Sequence, residues 1–322
     1  MQQNKIPKRL LVIGNGFDLD LGRATKYSDF AKSECWPKDL ESGLYKYLNK
    51  KSQIEKWFDL EGELARYVEK LSKTLLPTYK DSAFQIAAED MKDFNIIVES
   101  MIKYLTKAQS QIINHKSWAA KIFTLACSDS AFSKIYSFNY TDLNEVAKAL
   151  KLENLPTVEY VHGCLADHSA ILGINDQVST IDGAFDFMRK SFNPYYSSHP
   201  VSYDLKEADE VVFFGHSLGD NDYHYFQPFF RRQCEEDLEL KEKRTITIFT
   251  YNENSRMEIM RTLHKMNGGK TSLLFQNNEL NIFCTGDSRL EESPSFRKWY
   301  SDRITEIQRV RTQQFFDDIA KY

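Results

Sequence analysis

The sequence predicts an α/β protein built on a parallel sheet, with a large helical insertion after the first strand and a C-terminal helix. Three observations carry that expectation. Leu10 to Ile13 is a compact apolar run closed by Gly14, the pattern of a buried strand. Apolar residues at helical spacing then dominate from about residue 29 to residue 128. Beyond Ser128 the texture changes to short apolar runs separated by helix-like segments. Strands alternating with helices give a parallel sheet covered on both faces.

In chain order, the helical stretch shows Leu60, Leu64, Val68 and Leu71 on one stripe, then Ile96, Ile97, Met101 and Leu105 on another. Pro77 separates the two, because proline interrupts a helix. The later strands are read at 134–138, 158–163, 210–215, 245–251 and 280–284. The stretch from Ser293 to Tyr322 has no glycine and reads as one long amphipathic helix. Residues 1–322 therefore form a single α/β unit, with an insertion over 31–130 and a helical tail over 289–322.

Composition narrows the function. With 22 Phe and 17 Tyr the chain can build a core, so it is not a disordered chain. A net charge of −4 argues against a protein that coats nucleic acid. Five scattered cysteines without a CxxC spacing read as reduced thiols of a cytoplasmic protein. The apolar run near the start is too short for a signal-peptide core or a membrane span. The histidines form no HExxH or paired-ligand spacing, so no metal is expected.

Four strand-end motifs can carry chemistry. Gly14-Asn15-Gly16-Phe17-Asp18 follows the first strand, where glycines let the backbone approach a phosphate. The same residues also fit a tight turn with an Asp cap, and Asp18 and Asp20 would repel phosphate unless they point away. In Ser137-Phe138-Asn139-Tyr140-Thr141-Asp142, Asn139 can hold a ligand without charge, or the segment can simply cap the next helix. His162-Gly163 offers a proton acceptor, or a structural histidine. Gly215-His216-Ser217-Leu218-Gly219 matches the GxSxG elbow of serine hydrolases. An esterase would use Ser217 with His264 and Asp237 or Asp287. Against it, Asp220, Asn221, Asp222 and then bulky Tyr223, Tyr225 and Phe226 follow the motif, His264 sits in a helix-like segment, and the first loop is left without a role. Glu61 and Glu63 lie on different helix faces, so one could face the site, while a solvated charged surface is the default expectation.

Taken together, GNGFDLDLGRATKYSDF (14–30), WFDLEGEL (57–64), SFNYTDLNE (137–145) with VHG (161–163), and GHSLGDNDYHYF (215–226) resemble the AbiH-type bacteriophage abortive-infection family. That family in turn resembles the Rossmann-like sirtuin fold. The second resemblance matches Gly14 and Gly16 to the sirtuin glycine loop and Asp29 to its Pro-Asp-Phe element. It matches Asn139 to the motif Asn, His162 to the catalytic His, and Gly215 and Ser217 to the last block. Thr141 stands where sirtuins carry Asp, and the four zinc cysteines of the deacetylases are missing.

The resemblance implies an anti-phage effector that binds NAD and hydrolyses it to nicotinamide, without a metal. Asn139 and His162 would be catalytic. Gly14, Asn15, Gly16, Phe17, Asp18, Asp29, Gly215, His216 and Ser217 would contact the dinucleotide. The expected partners are NAD or a related nucleotide, and a second copy or another defence protein, with no membrane or nucleic acid. A serine esterase and a non-catalytic nucleotide sensor are the alternatives.

Overall fold

The computed structural model describes residues 8–55, 58–74, 80–128, 132–181 and 183–319. Among the described residues, six strands form one sheet: β1 (Arg9–Ile13), β2 (Phe132–Ser137), β3 (Thr157–Tyr160), β4 (Glu210–Phe214), β5 (Thr245–Thr250) and β6 (Glu279–Cys284). All pairings are parallel, in the order β3-β2-β1-β4-β5-β6. The chain starts at the centre, winds to one edge, then returns beside β1 and winds to the other. Where the order reverses, between β1 and β4, connections leave in opposite directions and a crevice opens beyond the strand carboxyl ends.

The helices fall where the alternation requires them. α1 (Asn15–Asp20), α2 (Tyr27–Lys32), α3 (Gly43–Ile54), α4 (Leu60–Thr74), α5 (Lys80–Gln109) and α6 (Trp118–Ser128) lie between β1 and β2. α7 (Leu143–Ala149) links β2 to β3, α8 (Val201–Glu207) precedes β4, and α9 (Tyr223–Arg232) links β4 to β5. α10 (Glu253–Met266) and α11 (Thr271–Asn277) precede β6, and α12 (Pro294–Ile319) follows it. None of the described helices is long and apolar enough to cross a membrane. All five cysteines are free. Pro77 lies outside the described residues.

β1 and β4 are buried on both faces, which is why their sequences are continuous apolar runs. Alternate residues face opposite layers. Leu11, Ile13, Ile135, Val212, Phe214 and Phe249 pack with α1, α6, α7 and α12. Leu10, Val12, Tyr136, Phe213, Ile246 and Ile248 pack with α8, α9, α10 and α11. A third core belongs to the helical unit, where Phe30, Trp36, Leu64, Val68, Ile97 and Met101 meet Leu172, Ile174, Phe185 and Met188. The insertion expected over 31–130 is therefore divided. α6 packs against the sheet as its crossover helix, while α2 to α5 share a separate core with chain that follows β3.

The C-terminal helix is clamped to the sheet by charge as well as by aromatic packing. Phe249 meets Trp299 at 5.3 Å between ring centroids. At the foot of β4, Glu210 accepts from Arg9 Nε at 2.8 Å, from Trp299 Nε1 at 3.2 Å and from Arg303. Arg9 also reaches Glu306 at 2.5 Å. Glu210, Arg9 and Arg303 are all buried. Farther along α12, Phe315, Phe316 and Ile319 are exposed, so the amphipathic pattern holds only for its first half.

Removing one member of such a cluster leaves buried charge without a partner, which costs about 3–5 kcal/mol. Glu210→Ala should lower the unfolding free energy by about that amount in a denaturant titration. A loss below about 1 kcal/mol, the range of an exposed pair, would show that the clamp does not hold α12 to the sheet.

Candidate functional site

A cleft of about 1370 Å³ lies at the carboxyl ends of the strands, under the helical unit. It exceeds the usual 300–1,000 Å³ of a small-molecule site. Gly14, Asn15, Gly16, Asp18, Asn139, His162, Gly215, His216 and Ser217 all line it. Phe17 and Asp29 are not among its lining residues. Phe17 turns into the core against Phe123 and Phe214. Asp29 lies on α2 beside Phe30, which anchors that helix in the helical core.

The glycines of the first loop serve its contact with the loop after β4. A Cβ on Gly14 would fall 2.5 Å from His216 Cα, and one on Gly16 would fall 2.6 Å from Gly215 Cα. Gly215 has φ +64°, and a Cβ there would sit 2.4 Å from Gly16 C. The amides expected to face phosphate are already engaged. Gly14 N donates to Phe214 O at 3.0 Å, Gly16 N to Gly215 O at 2.9 Å, and Phe17 N to Gly14 O at 2.9 Å. The expected backbone cradle is corrected at these three positions: β4 takes the Gly14 amide, the loop after β4 takes that of Gly16, and the turn itself takes that of Phe17.

Asn139 and Asp18 form the next tie. Asn139 Nδ2 donates to Gly14 O at 2.9 Å and to Asp18 Oδ2 at 2.8 Å. Thr141 Oγ1 donates to the same carboxylate oxygen at 2.9 Å, and Arg23 pairs with the other at 3.4 Å. Burial pushes the Asp18 pKa up, against the pull of Arg23, Thr141 and Asn139. Asp20 turns away to accept from Ala119 N at 2.6 Å. The cap of α7 is Asp142, which accepts from Asn144 N at 2.9 Å.

The centre of the cleft holds a carboxylate shared by two histidines. His162 Nε2 lies 2.7 Å from Asp222 Oδ1, and His216 Nε2 lies 3.3 Å from Asp222 Oδ2. Burial works to raise the Asp222 pKa, but His162, His216 and Lys190 outweigh it and hold the carboxyl well below its ordinary range. A carboxylate only accepts, so each Nε2 carries a proton. His216 Nδ1 accepts from Leu218 N at 2.9 Å, which fixes that tautomer. Leu218 takes φ +55° to make the bond. His162 has its Nδ1 left over, with no partner for it among the described residues. Phe138 packs edge-on against both rings, at 5.5 Å from His162 and 4.5 Å from His216. An acid orienting an imidazole whose second nitrogen remains available is the arrangement of a general base.

Behind the dyad lies a second buried pair. Lys190 Nζ reaches Glu61 Oε2 at 2.9 Å and sits 3.5 Å from His162 Nε2. Burial works against the Lys190 charge, yet Glu61 and Asp222 outweigh it and raise its pKa. Asn221 Nδ2 also donates to Glu61 Oε2, at 3.1 Å. Tyr140 Oη lies 3.0 Å from Ile171 O and 3.4 Å from Glu61 Oε1. The default of a solvated face is overturned for both glutamates, and the alternative that one of them faces the site holds for Glu61. Glu61 and Glu63 are buried, the first at this site and the second held by Tyr47 and Arg66, each at 2.6 Å.

The hydrolase triad is not assembled. Ser217 Oγ accepts from Gly219 N at 3.3 Å. His264 bonds Thr271 at 3.0 Å, and Asp237 pairs with Arg232 at 2.9 Å. Asp287 accepts from Arg289 N. A nucleophile elbow places its strained residue at the serine. Here the positive φ values fall at Gly215 and Leu218 instead.

Sequence reasoning missed Asp222 and Lys190. Asp222 stands in the GHSLGDNDYHYF block, two residues past Asp220, and could have been paired with the strand-end histidines. Lys190 opens the second of two short 3₁₀ turns in an otherwise irregular stretch and gives no local signal.

A family model described as Bacteriophage abortive infection AbiH matches residues 10–241. No curated protein matches the chain. The match spans the sheet through β4, the helical unit, and every residue of the Asp222–His162–Lys190–Glu61 cluster.

The depressed Asp222 carboxyl makes stability depend on pH. The folded state holds this proton less tightly than the unfolded state, so the contribution is complete above the ordinary carboxylate value of 3.8. It fades as pH falls below that value toward the folded one. The stability advantage over Asp222→Asn should therefore be flat above about pH 5 and shrink on further acidification. Asp18 is common to both proteins and cancels. Denaturant midpoints measured from pH 7 downward check this, and a gap that widens in acid contradicts the assignment.

Proposed function

Since the chain belongs to the AbiH family of bacteriophage abortive-infection proteins, we propose that its cleft binds NAD and hydrolyses it to nicotinamide and ADP-ribose. Phage abortive infection is the role the family gives; depletion of NAD is the means proposed here. The observation that carries the reading is the Asp222–His162 dyad, set in the crevice where the sheet order reverses. Such crevices are where open α/β sheets bind dinucleotides.

The chemistry follows from the geometry. The bond between the ribose C1′ and the pyridinium nitrogen breaks, and its electron pair leaves with neutral nicotinamide. Water adds to the oxocarbenium-like carbon that remains. Its proton goes to His162 Nδ1, the nitrogen turned away from Asp222, and from there to solvent. Asp222 keeps the ring in that orientation and stabilises the imidazolium that forms. Asn139 has both amide hydrogens engaged, so its contribution is its oxygen and its hold on the first loop. With the amides of Gly14, Gly16 and Phe17 engaged within the protein, polar contacts to the dinucleotide come from side chains such as Asn15 and Ser217. Asn15 accepts from Thr25 through Oδ1, leaving its amide hydrogens to donate. Ser217 is exposed and accepts from Gly219, leaving its hydroxyl hydrogen.

Substitutions separate these roles. His162→Ala should lower nicotinamide release by about a hundredfold or more while NAD affinity is retained. Ser217→Ala should weaken NAD binding by about 0.5–1.5 kcal/mol, the net value of one hydrogen bond, and leave turnover in place. The measurement is nicotinamide release together with NAD affinity, on variants checked for folding. A fully active His162→Ala beside a dead Ser217→Ala would reverse the assignment. Binding without turnover in the parent protein would make the cleft a nucleotide sensor.

A further inference from the structure

Lys190 and Glu61 stand beside the dyad and take no part in the proposed bond-breaking. Both are buried, and both are built into place. The Lys190 amide donates to Ile174 O at 2.9 Å, and Ile174 N donates to Met188 O at 2.8 Å. These bonds close a parallel bridge between Ile174 and Arg189. Gly173 makes room for it, because a Cβ there would fall 2.3 Å from Met188 O. From that anchor the Lys190 side chain runs to Glu61 and ends 3.5 Å from His162 Nε2. Both ammonium and Nε2–H are donors, so this contact is electrostatic and not a hydrogen bond. Glu61 lies in the first turn of α4, and its Oε2 also holds Asn221, the neighbour of Asp222.

A histidine facing only a carboxylate is drawn toward the doubly protonated form, which cannot accept a proton. A cation close to the ring opposes the second proton. We propose that Lys190 and Glu61 are positioning residues for His162, Lys190 keeping its Nδ1 open against the pull of Asp222 and Glu61 setting how much of the lysine charge the ring feels. The proposal rests on His162 being the base of the site. It also makes the helical unit, through Glu61, part of the setting of that base. The charged and titratable groups around the ring are Asp222 on the loop before α9, His224 on α9 and His216 after β4. Lys190 comes from the segment after β3 and Glu61 from the first turn of α4, with Tyr140 beside Glu61, Asp59 acting on Lys190 and Asp176 acting on His224.

The test uses the full chain with Lys190→Met, Glu61→Gln, the double variant and Lys190→Arg. Nicotinamide release from NAD is followed across pH, since the acid limb of kcat/KM reports the base of the free enzyme. Lys190→Met should move that limb to higher pH by about one unit, and Glu61→Gln should move it lower. The double variant should return toward the parent, and Lys190→Arg should keep the parent profile. Nitrogen-15 spectra of the His162 ring give the same answer without turnover. The parent should show a proton on Nε2 alone at a pH where Lys190→Met shows both nitrogens protonated. A parent that releases no nicotinamide overturns the NAD reading, and the ring spectra then decide this proposal separately. Should Lys190→Met fail to fold, the direction of the Glu61→Gln shift decides. Single variants that shift in the same direction, or not at all, overturn it.

Discussion

Everything at the carboxyl end of the sheet depends on two loops touching backbone to backbone. The loops after β1 and β4 meet at Gly14, Gly16 and Gly215, with no space for a Cβ between them. Strands at the point of reversal are neighbours, but their loops depart in opposite directions. Side chains here would wedge the loops apart. With glycines the loops bond directly, and the residues after them are carried to fixed positions. His216 and Asp222 follow one loop. Asp18 follows the other and is tied to Asn139 and Thr141. The site inherits its precision from the sheet, whose central strands are fully buried.

Charge in the cleft is arranged as a relay of opposites. Asp222 faces two histidines and a lysine, the lysine faces Glu61, and Glu61 is held by Asn221. Each group is buried or nearly so, and each stays ionised or oriented because its neighbour is in place. Buried charge is costly without a partner, and hydrogen-bonded pairing offsets that cost. The cluster therefore ties three separate pieces of chain together: the start of α4, the segment after β3 and the loop before α9. The helical unit is thus joined to the chemistry by charge, although its hydrophobic core is separate from the two cores flanking the sheet.

The parts of this architecture that a reader can take from the sequence are those with local periodicity. A strand such as VVFF or TITIF announces itself, and so does a helix repeating every three to four residues. Strand-end motifs follow from those, which is why Gly16, Asn139, His162 and Ser217 can be expected at one cleft from the sequence. The rest is written in long separations. Glu61 meets Lys190 across 129 positions, and Arg9 meets Glu210 across 201. Nothing adjacent to Lys190 marks it, and Glu61 resembles any acid on a wet helix. The glycines were visible, but their purpose was not, because the partner they accommodate is another loop. The crossover role of α6 was hidden for the same reason: its apolar face fits a sheet as well as a bundle.

The clamp at Glu210 has a consequence for the order in which the chain matures. β1 and β4 are complete once residue 214 has been made, yet the arginine and tryptophan that close the cluster come from α12. Before α12 is added, Phe249 has the rings of Phe214 and Phe283 against it, Trp299 is missing from both Phe249 and Phe283, and Glu210 has one arginine in place of two. The last helix therefore completes the sheet's cover only after every strand has been made. A chain interrupted before it has every residue of the cleft and lacks the element that holds the sheet beneath it.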